Sequence, residues 1–223
     1  MKRVYYFSTK KYALENIRLN RLKVSRFNDL NDPFELLAAD LIDPRHRKAF
    51  AKFKNQLNNM AGIICFSNAW TNPLLWGHYA DKHTGIALGF DVPDDMLLDV
   101  RYTSVRPKVE FDEAKRIVVD GPNIVDRLIR TKFVDWKYEN ESRMYVKLDH
   151  TANESKIHFY SFSSNLILRE VILGLNCTTS LDEIRKFTSS NLTKIRIKKA
   201  GMALRKFKVI EDRSYKANIG KTL

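Results

Sequence analysis

The sequence predicts an α+β fold, because short strands and helices follow one another without a regular β-α-β order. The chain has 223 residues, and 44% of them are hydrophobic, which supports a packed core. With 8 glycines and 6 prolines, it has too few of these residues for a long flexible linker. We therefore expect a single domain over residues 1–223, with two basic strands at about 190–212 as part of it.

In the first half of the chain, β-branched and aromatic runs predict strands, and apolar residues spaced by three or four predict helices. Ser8 or Thr9 suits the cap before one helix, and Pro44 suits the first position of the next. The expected strands cover residues 4–7, 22–25, 62–66 and 85–90, and the expected helices cover about 9–18, 44–60 and 73–80. In the second helix, the residues expected to face the core are Phe50, Phe53, Leu57 and Met60.

The second half is predicted to consist mostly of strands. Asn123 is expected to cap one helix, and Ser180 with Glu183 forms the capping box of another. The expected strands cover residues 101–103, 144–148, 157–162 and 166–173. Basic and apolar residues alternate at 194–198 and again at 206–209, which predicts two final strands with one basic face each.

Charge and cysteine usage restrict the partners and the compartment. The formal net charge of +13 favours a polyanionic partner such as RNA, DNA, an acidic protein or a dinucleotide, although a solvated basic surface without a ligand has the same composition. Cys65 and Cys177 lie in apolar segments, so we expect buried free thiols in a reducing compartment. Neither a signal peptide nor a membrane-spanning segment is indicated, so we expect a cytoplasmic protein without membrane contact.

The most informative motif is Glu139-Asn140-Glu141, which Arg143 follows at the start of a predicted strand. Alternation along a strand places the two glutamates on the same face. Two carboxylates this close do not both ionise freely unless a cation or a polar ligand lies between them. The pair therefore suits an active site that holds a hydroxyl and stabilises developing positive charge. The alternative is a solvated strand edge, in which Arg143 neutralises a neighbouring glutamate.

The segment Asn31-Asp32-Pro33-Phe34-Glu35 has a structural and a functional interpretation. Asp32 can accept a hydrogen bond from the nearby backbone, and Pro33 can start the next element, so the segment is typical of a capped turn. In the functional interpretation, Asp32 or Glu35 is a carboxylate that faces a ligand.

Aromatic and hydroxyl side chains form two other candidate contacts. Trp76 and Tyr79 lie three residues apart on one face of a predicted helix, either as a core pair or as a platform for a nicotinamide or adenine ring. Tyr6 and Ser8 point the same way along the first strand. They either hold an amide group or belong to ordinary strand patterning and a helix cap.

No metal site is expected. His78 and His83 are five residues apart, which is not zinc-ligand spacing, and neither cysteine has a second cysteine nearby. The set Asp91, Glu113 and Lys115 is a loose match to a metal-dependent nuclease, which remains an alternative. The sequence contains no phosphate loop, dinucleotide fingerprint or hydrolase elbow.

Several segments in order resemble a bacterial family of unknown-function domains, whose members often accompany phage-defence and abortive-infection loci. The segments that carry this resemblance are 27–35, 65–67, 75–80, 85–91, 136–143 and 171–174. One departure is Ser142, since the family favours tryptophan before the arginine.

The element order is also distantly similar to the ADP-ribosyltransferase fold, a split β-sandwich that binds NAD in its cleft. This likeness implies NAD as a substrate and Glu141 as the catalytic glutamate, with Glu139 and Arg143 to orient the acceptor or hold a phosphate. The residues implied to bind NAD are Tyr6, Ser8, Trp76 and Tyr79, and Asn31 and Asp32 are expected to contribute to the same site. Tyr6 stands where histidine or arginine is commoner. Glu170, in an apolar strand, is a rival for the catalytic position.

The function expected from this likeness is an NAD-dependent ADP-ribosyltransferase, as a toxin of a phage-defence or toxin–antitoxin system. The expected acceptor is nucleic acid, with RNA favoured, and a neutralising antitoxin is an expected second partner. The basic residues expected to contact nucleic acid are Lys194, Arg196, Lys198, Lys206 and Lys208. The alternatives are a non-catalytic nucleic-acid or partner-binding module, and the metal-dependent nuclease.

Overall fold

Short runs of β-branched and aromatic residues form the strands of this protein, and five α-helices lie between them in the described chain. The structure is a computed structural model that describes residues 1–36, 42–107, 111–112, 117–118, 121–154, 157–186 and 195–215. The strands are β1 (Lys2–Ser8), β2 (Arg21–Val24), β3 (Ala61–Ser67), β4 (Ile86–Val92), β5 (Leu97–Asp99), β6 (Arg101–Thr103), β7 (Phe111–Asp112), β8 (Ile117–Val118), β9 (Thr131–Phe133), β10 (Glu141–Lys147), β11 (Ala152–Glu154), β12 (Ile157–Ser161), β13 (Ile167–Leu173), β14 (Arg196–Met202) and β15 (Val209–Glu211). The α-helices are α1 (Lys10–Leu19), α2 (Pro44–Met60), α3 (Pro73–Tyr79), α4 (Gly121–Ile129) and α5 (Leu181–Lys186). Short 3-10 helices cover Phe27–Asp29, Asp94–Met96, Val134–Glu139 and Leu148–His150.

The chain divides into two compact units. The first unit comprises Met1–Leu22, Phe66–Asp94 and Ser161–Leu223, and the second comprises Lys23–Cys65 and Asp95–Tyr160. The expectation of a single domain over the whole chain stays a prediction.

The first unit is organised around a mixed sheet with the strand order β15-β14-β13-β4-β1-β3. Strand β4 pairs antiparallel with β1 over its full length and antiparallel with β13, whereas β14 runs parallel to β13. Helix α3 packs on one face of this sheet, where the ring centroids of Trp76 and Phe7 are 5.1 Å apart. The combination of antiparallel and parallel pairs with separate helices confirms the predicted α+β class.

In the second unit, β3 lies beside β10, which pairs antiparallel with β5. The smaller sheets have the orders β11-β12-β2, β6-β9 and β7-β8. Helix α2 starts with Pro44 at its first turn, and the Asp43 side chain before it accepts a hydrogen bond from the Arg45 backbone. The buried core of this unit includes Phe27, Leu36, Phe50, Leu57, Ile63, Ile124 and Leu128.

The local signals of the sequence predicted most of these elements. Thr9 caps α1 by accepting from the Tyr12 backbone, and the Ser180 hydroxyl accepts from the Glu183 backbone at 3.1 Å. Cys65 and Cys177 are both free, as predicted. Among the described helices, none combines the length and the apolar character needed to cross a membrane.

Three local predictions are wrong. Met60 is 69% exposed, because it is the last residue of α2 and lies beyond the stretch that faces the core. Helix α4 begins at Gly121, so Asn123 lies inside the helix and is not its cap. The last strand begins at Val209, and residues 204–207 before it form a bend.

Candidate functional site

The glutamates of the Glu139-Asn140-Glu141 motif lie in a buried ion cluster of the second unit. Glu139 ends a 3-10 helix, and Asn140 is left-handed with a φ of 45°, so β10 starts only at Glu141. The sequence suggested that strand alternation brings the two carboxylates together. Because Glu139 lies before the strand, they meet in a different way. The Glu141 cluster, as we name it, comprises Glu35, Lys132, Glu139, Glu141 and Arg143.

Arg143 is the centre of this cluster and is only 1% exposed. Its Nη1 and Nη2 donate to the two oxygens of Glu35 at 2.8 and 2.6 Å, in a bidentate pair. Its Nε and Nη2 donate to Glu141 at 2.8 and 3.0 Å, and Nη1 donates to the Ile129 carbonyl at 2.6 Å. A guanidinium has five N–H hydrogens, and these five bonds use them all. Arg143 therefore has no donor left for a phosphate or an acceptor, contrary to the expectation from sequence.

Lys132 is the cation that the two neighbouring glutamates require. Its Nζ donates to Glu139 at 2.5 Å and to Glu141 at 3.1 Å, and it lies 3.5 Å from Glu35. The same ammonium lies 4.9 Å from the centroid of the Trp136 ring, which stabilises the positive charge further. The cation that the two glutamates require is thus Lys132, which was not predicted from the sequence.

The cluster keeps its charges at neutral pH. Burial alone would raise the pKa of Glu141, but Arg143 and Lys132 lower that pKa to about 2. Burial alone would lower the pKa of Lys132 and of Arg143, but the glutamates raise both. Because both oxygens of Glu141 already accept hydrogen bonds from buried cations, neither is free for a substrate hydroxyl.

A cleft of about 320 Å³ opens beside the Glu141 cluster. The residues that line it include Asp32, Phe34, Val105, Arg106, Lys132 and Phe133. The Asp32 carboxylate accepts from the Phe34 backbone at 2.9 Å, and its carbonyl accepts from the Glu35 backbone at 3.0 Å. The turn interpretation of this segment is thus confirmed. The expected contact of Asp32 and the exposed Asn31 with NAD stays a prediction.

Glu170 lies in the first unit, on β13 opposite Gly89 of β4. The register of this strand pair shifts between Leu168 and Glu170, and such irregularities re-aim side chains and often lie beside active sites. A Cβ atom on Gly89 would lie 2.9 Å from the Glu170 Cβ and 3.2 Å from a Tyr5 ring carbon. A glycine at this position therefore leaves room for the Glu170 carboxylate against the Tyr5 ring.

The two oxygens of the Glu170 carboxylate have partners of unequal strength. The Glu170 centre, as we name it, comprises Arg3, Tyr5, Asp91, Arg169, Glu170 and Lys198. Lys198 donates to Oε1 of Glu170 at 2.9 Å, and Arg3 lies 3.2 Å from the same oxygen. Among the described residues, Oε2 accepts only the Tyr5 hydroxyl, at the long distance of 3.3 Å. One oxygen is thus anchored, and the other can exchange its weak partner for a ligand hydroxyl.

The groups around Glu170 are more exposed than those around Glu141. The side chains of Arg3 and Arg169 are 34% and 33% exposed, and both pair with Asp91, at 2.6 and 3.0 Å. Burial raises the pKa of Tyr5 to about 12, and Glu170 adds to the effect. The Tyr5 phenol is therefore a neutral donor at physiological pH.

The first strand separates the residues that were implied to bind NAD. The Tyr6 ring contacts Phe66, with centroids 6.3 Å apart, whereas Phe7 contacts Trp76. Since successive side chains of a strand point to opposite faces, Tyr6 and Ser8 lie on the face opposite Trp76. The structure therefore does not bring these aromatic residues together in one pocket.

Trp76 is a core residue, since it is fully buried and its Nε1 donates to the Trp70 carbonyl at 2.7 Å. Its ring stacks on His83, with an interplanar angle of 12°. Trp76 thus has no exposed ring face for a nicotinamide, which corrects the expectation from sequence. Tyr79 is half-buried with its ring beside His78, and its role in NAD binding stays a prediction.

The basic residues of the C-terminal segment fall into different environments. Lys198 is 10% exposed and its charge is compensated by Glu170, so it is not a free contact for a polyanion. Arg196, Lys206 and Lys208 are exposed. Lys194 lies outside the described residues. In the nuclease alternative, Asp91 is paired with two arginines, and Glu113 and Lys115 also lie outside the described residues.

Lys132, Arg3 and Tyr5 are site residues that were not predicted from the sequence. A lysine in a short strand just before the Glu139-Asn140-Glu141 motif was the signal for Lys132, because a buried carboxylate pair needs a nearby cation. Arg3 and Tyr5 alternate on β1, on the face opposite the one chosen from the sequence. Only the strand pairing shows that this face adjoins Glu170.

The fold and these residues define an α+β protein with two buried glutamates held by cations. Glu141 is paired with cations on both oxygens, whereas Glu170 is paired with cations on Oε1 and accepts the Tyr5 hydroxyl on Oε2. Residues 75–144 match the model of a family described as a protein of unknown function (DUF2971). That segment contains most of the Glu141 cluster and ends before Glu170. Comparison with curated proteins and with solved structures gives no match.

Proposed function

We propose that the protein is an ADP-ribosyltransferase that takes NAD as a substrate and transfers ADP-ribose to nucleic acid. The observation that carries the proposal is the Glu170 carboxylate, which keeps Oε2 beside the neutral Tyr5 hydroxyl while Oε1 is anchored by Lys198 and Arg3. The sequence favoured Glu141 for this role. Because both Glu141 oxygens are engaged by buried cations, its rival Glu170 has the better support.

The chemistry of this reaction favours a carboxylate with one free oxygen. Cleavage of the nicotinamide–ribose bond passes through an oxocarbenium-like transition state, and a carboxylate beside the ribose stabilises its charge more than it stabilises the ground state. Oε2 of Glu170 can accept a ribose hydroxyl in place of the long Tyr5 bond, and Tyr5 can then bind a second oxygen of the ligand. A glutamate whose charge is fully paired on both oxygens stabilises a new positive charge less.

The transfer is balanced without any further reagent. The bond between the ribose carbon and the pyridinium nitrogen breaks, and its electron pair leaves with neutral nicotinamide. The acceptor atom forms a new bond to the same carbon, and its proton is released to water. The side chains of Arg3 and Arg169 are each about one third exposed at the edge of the centre. Guanidinium groups that solvent reaches suit the diphosphate of NAD.

The test is release of nicotinamide from NAD by the purified protein, in the presence of RNA, DNA or protein acceptors. We expect Glu170→Gln to lower the rate about a hundred-fold or more, since it removes the electrostatic stabiliser. Glu183→Gln is the matched control, because the side chain of Glu183 is 37% exposed and its ion pair within the described residues is with the equally exposed Lys10.

Three results would contradict the proposal. A folded wild-type protein that releases no nicotinamide with any acceptor, but binds nucleic acid, would favour the non-catalytic binding module. Magnesium-dependent cleavage of the nucleic acid would favour the nuclease. Full activity of Glu170→Gln with loss of activity in a folded Glu141→Gln variant would return the catalytic role to Glu141.

The biological setting belongs to the same proposal. We expect a cytoplasmic toxin of a phage-defence or toxin–antitoxin system, with a neutralising antitoxin as its partner. Modification of nucleic acid should arrest bacterial growth when the wild-type protein is produced. The Glu170→Gln variant, produced to the same level, should relieve that arrest, and equal toxicity of the two proteins would argue against this setting.

A further inference from the structure

The turn between β14 and β15 exposes large apolar side chains to an unusual degree. Leu204 is 99% exposed and Phe207 is 102% exposed, and Met202 at the end of β14 is 67% exposed. The turn is closed by its own backbone, since Ala203 donates to the Lys208 carbonyl at 3.0 Å. Large exposed apolar side chains that cluster in one patch are typical of an interaction surface.

The cationic side chains of this turn are unpaired within the described chain, unlike the basic side chains just before them. Arg205, Lys206 and Lys208 are all exposed, and within the described residues none of their side chains forms a hydrogen bond or an ion pair. Lys198 and Lys199, by contrast, are bound to a carboxylate and to backbone carbonyls. The three turn cations therefore keep their full capacity for an external anion.

The turn forms one wall of a cleft of about 550 Å³. The cleft is also lined by Pro73, His83 and Leu175. The described residues that line this cleft include four basic or imidazole side chains and no acidic one. A cleft of this size, with an aromatic ring and cations at its edge, is complementary to a ligand that is both planar and anionic.

The backbone of the segment that ends at His83 is strained. Asp81, Lys82 and His83 have successive φ values of 46°, 52° and 70°, and non-glycine residues in this region are strained. The His83 backbone is fixed by bonds with the Trp76 carbonyl at 3.1 Å and the Asn176 amide at 3.0 Å. The strained segment thus sets the position of the imidazole that lines the cleft.

We propose that this turn binds single-stranded nucleic acid, with an unpaired base on the Phe207 ring and neighbouring phosphates on Arg205, Lys206 and Lys208. Aromatic faces and unpaired cations along a groove are how proteins hold single strands without reading their sequence. A duplex would hide the base faces that Phe207 needs. An anionic membrane would engage the same charges, but it has no planar group for a concave cleft. The role of this surface as the acceptor site rests on the proposed transferase activity, whereas its binding of single-stranded nucleic acid does not.

The experiment is titration of the full-length protein against a labelled single-stranded oligonucleotide, as RNA and as DNA of one mixed sequence, followed by fluorescence anisotropy. We expect Phe207→Ala to weaken binding at least about fivefold, and Phe207→Trp to restore it. Tyr12→Ala is the matched control, because Tyr12 is 56% exposed beside Lys11 but lies on helix α1 outside this cleft.

Salt dependence gives a second readout. Three phosphate contacts to a single strand correspond to a slope of about −2 for the logarithm of the binding constant against the logarithm of salt concentration. Replacement of Arg205, Lys206 and Lys208 together by glutamine should therefore make the slope less steep by about 2. Lys147→Gln, an exposed lysine of the second unit, should leave it unchanged.

The proposal is overturned if Phe207→Ala binds as tightly as wild type, if the duplex binds as well as the single strand, or if phosphatidylserine vesicles bind and the oligonucleotides do not. Tight oligonucleotide binding without nicotinamide release would end the transferase proposal and leave this site intact. Transferase activity on an oligonucleotide with an unchanged KM for that oligonucleotide in Phe207→Ala would end this site and leave the transferase intact.

Discussion

The Glu141 cluster and the Glu170 centre each hold a glutamate between cations, but they differ in what surrounds the charges. In the Glu141 cluster, Arg143 and Lys132 are almost fully buried, and both oxygens of the glutamate are engaged. In the Glu170 centre, Arg3 is one third exposed, and one glutamate oxygen has only a long bond from Tyr5. The ion pairs of the Glu141 cluster therefore stabilise the fold, whereas Glu170 can exchange the Tyr5 hydroxyl for a ligand hydroxyl.

This difference has an energetic reason. A charge taken out of water loses several kcal/mol of hydration, so it persists only where partners satisfy it fully. Every N–H of Arg143 is used for that purpose, which fixes the positions of Glu35 and Glu141. Near Glu170, water still reaches Arg3 and Arg169, so incomplete pairing costs less and leaves capacity for a substrate.

The largest effect that distinguishes the two regions is expected from removal of their arginines. Arg143→Met leaves Glu35 and Glu141 without their main partner in a buried site, so the free energy of unfolding should fall by about 3–5 kcal/mol. Arg3→Met removes a partly exposed partner and should cost about 1 kcal/mol or less. Urea unfolding of both variants checks this. Equal losses of stability would mean that the Glu141 cluster does not depend on its arginine more strongly than the Glu170 centre does.

Acid should destabilise the protein through Glu141. Its folded pKa of about 2 lies below the ordinary value of 4.5, so its contribution is fully present above about pH 5 and is lost as the pH falls toward 2. One pKa unit corresponds to ~1.4 kcal/mol, so this contribution is on the order of 3 kcal/mol.

The measurement is the free energy of unfolding of wild type and of Glu141→Gln between pH 7 and pH 3. The difference between the two proteins should shrink as the pH falls, because only wild type has the carboxylate that titrates. A difference that stays constant over this range would show that the ionised form of Glu141 is not favoured by folding.

The smallest effects are expected from the two tyrosine hydroxyls. The Tyr102 hydroxyl accepts from the Glu141 backbone N–H at 2.8 Å, so Tyr102→Phe leaves that donor unsatisfied and should cost about 1–3 kcal/mol. Tyr5→Phe removes only the 3.3 Å bond to Glu170 and should cost less than about 1 kcal/mol. Thermal or urea unfolding measures both changes. A larger loss in Tyr5→Phe would mean that the Glu170 centre is the more tightly coupled of the two.

The sequence predicted the elements of the fold better than the contents of the site. Capping at Thr9 and Ser180 and the core-facing positions of α2 from Phe50 to Leu57 depend on neighbours a few residues away, and these predictions are confirmed. The Glu139-Asn140-Glu141 motif correctly required a nearby cation, but the sequence did not name Lys132. The choice of Tyr6 over Tyr5 was a choice between two strand faces, and alternation alone does not say which face adjoins another strand's glutamate.

By itself, the sequence determined the α+β class, the free cysteines and the need for charge compensation at Glu139 and Glu141, because each follows from local spacing and side-chain chemistry. Only the tertiary structure decided that Arg143 is bound by Glu35, 108 positions earlier in the chain. It also decided that Glu170 meets Tyr5 across β4. Such pairings depend on how strands are ordered in a sheet, and hydrophobic periodicity carries no information about that order.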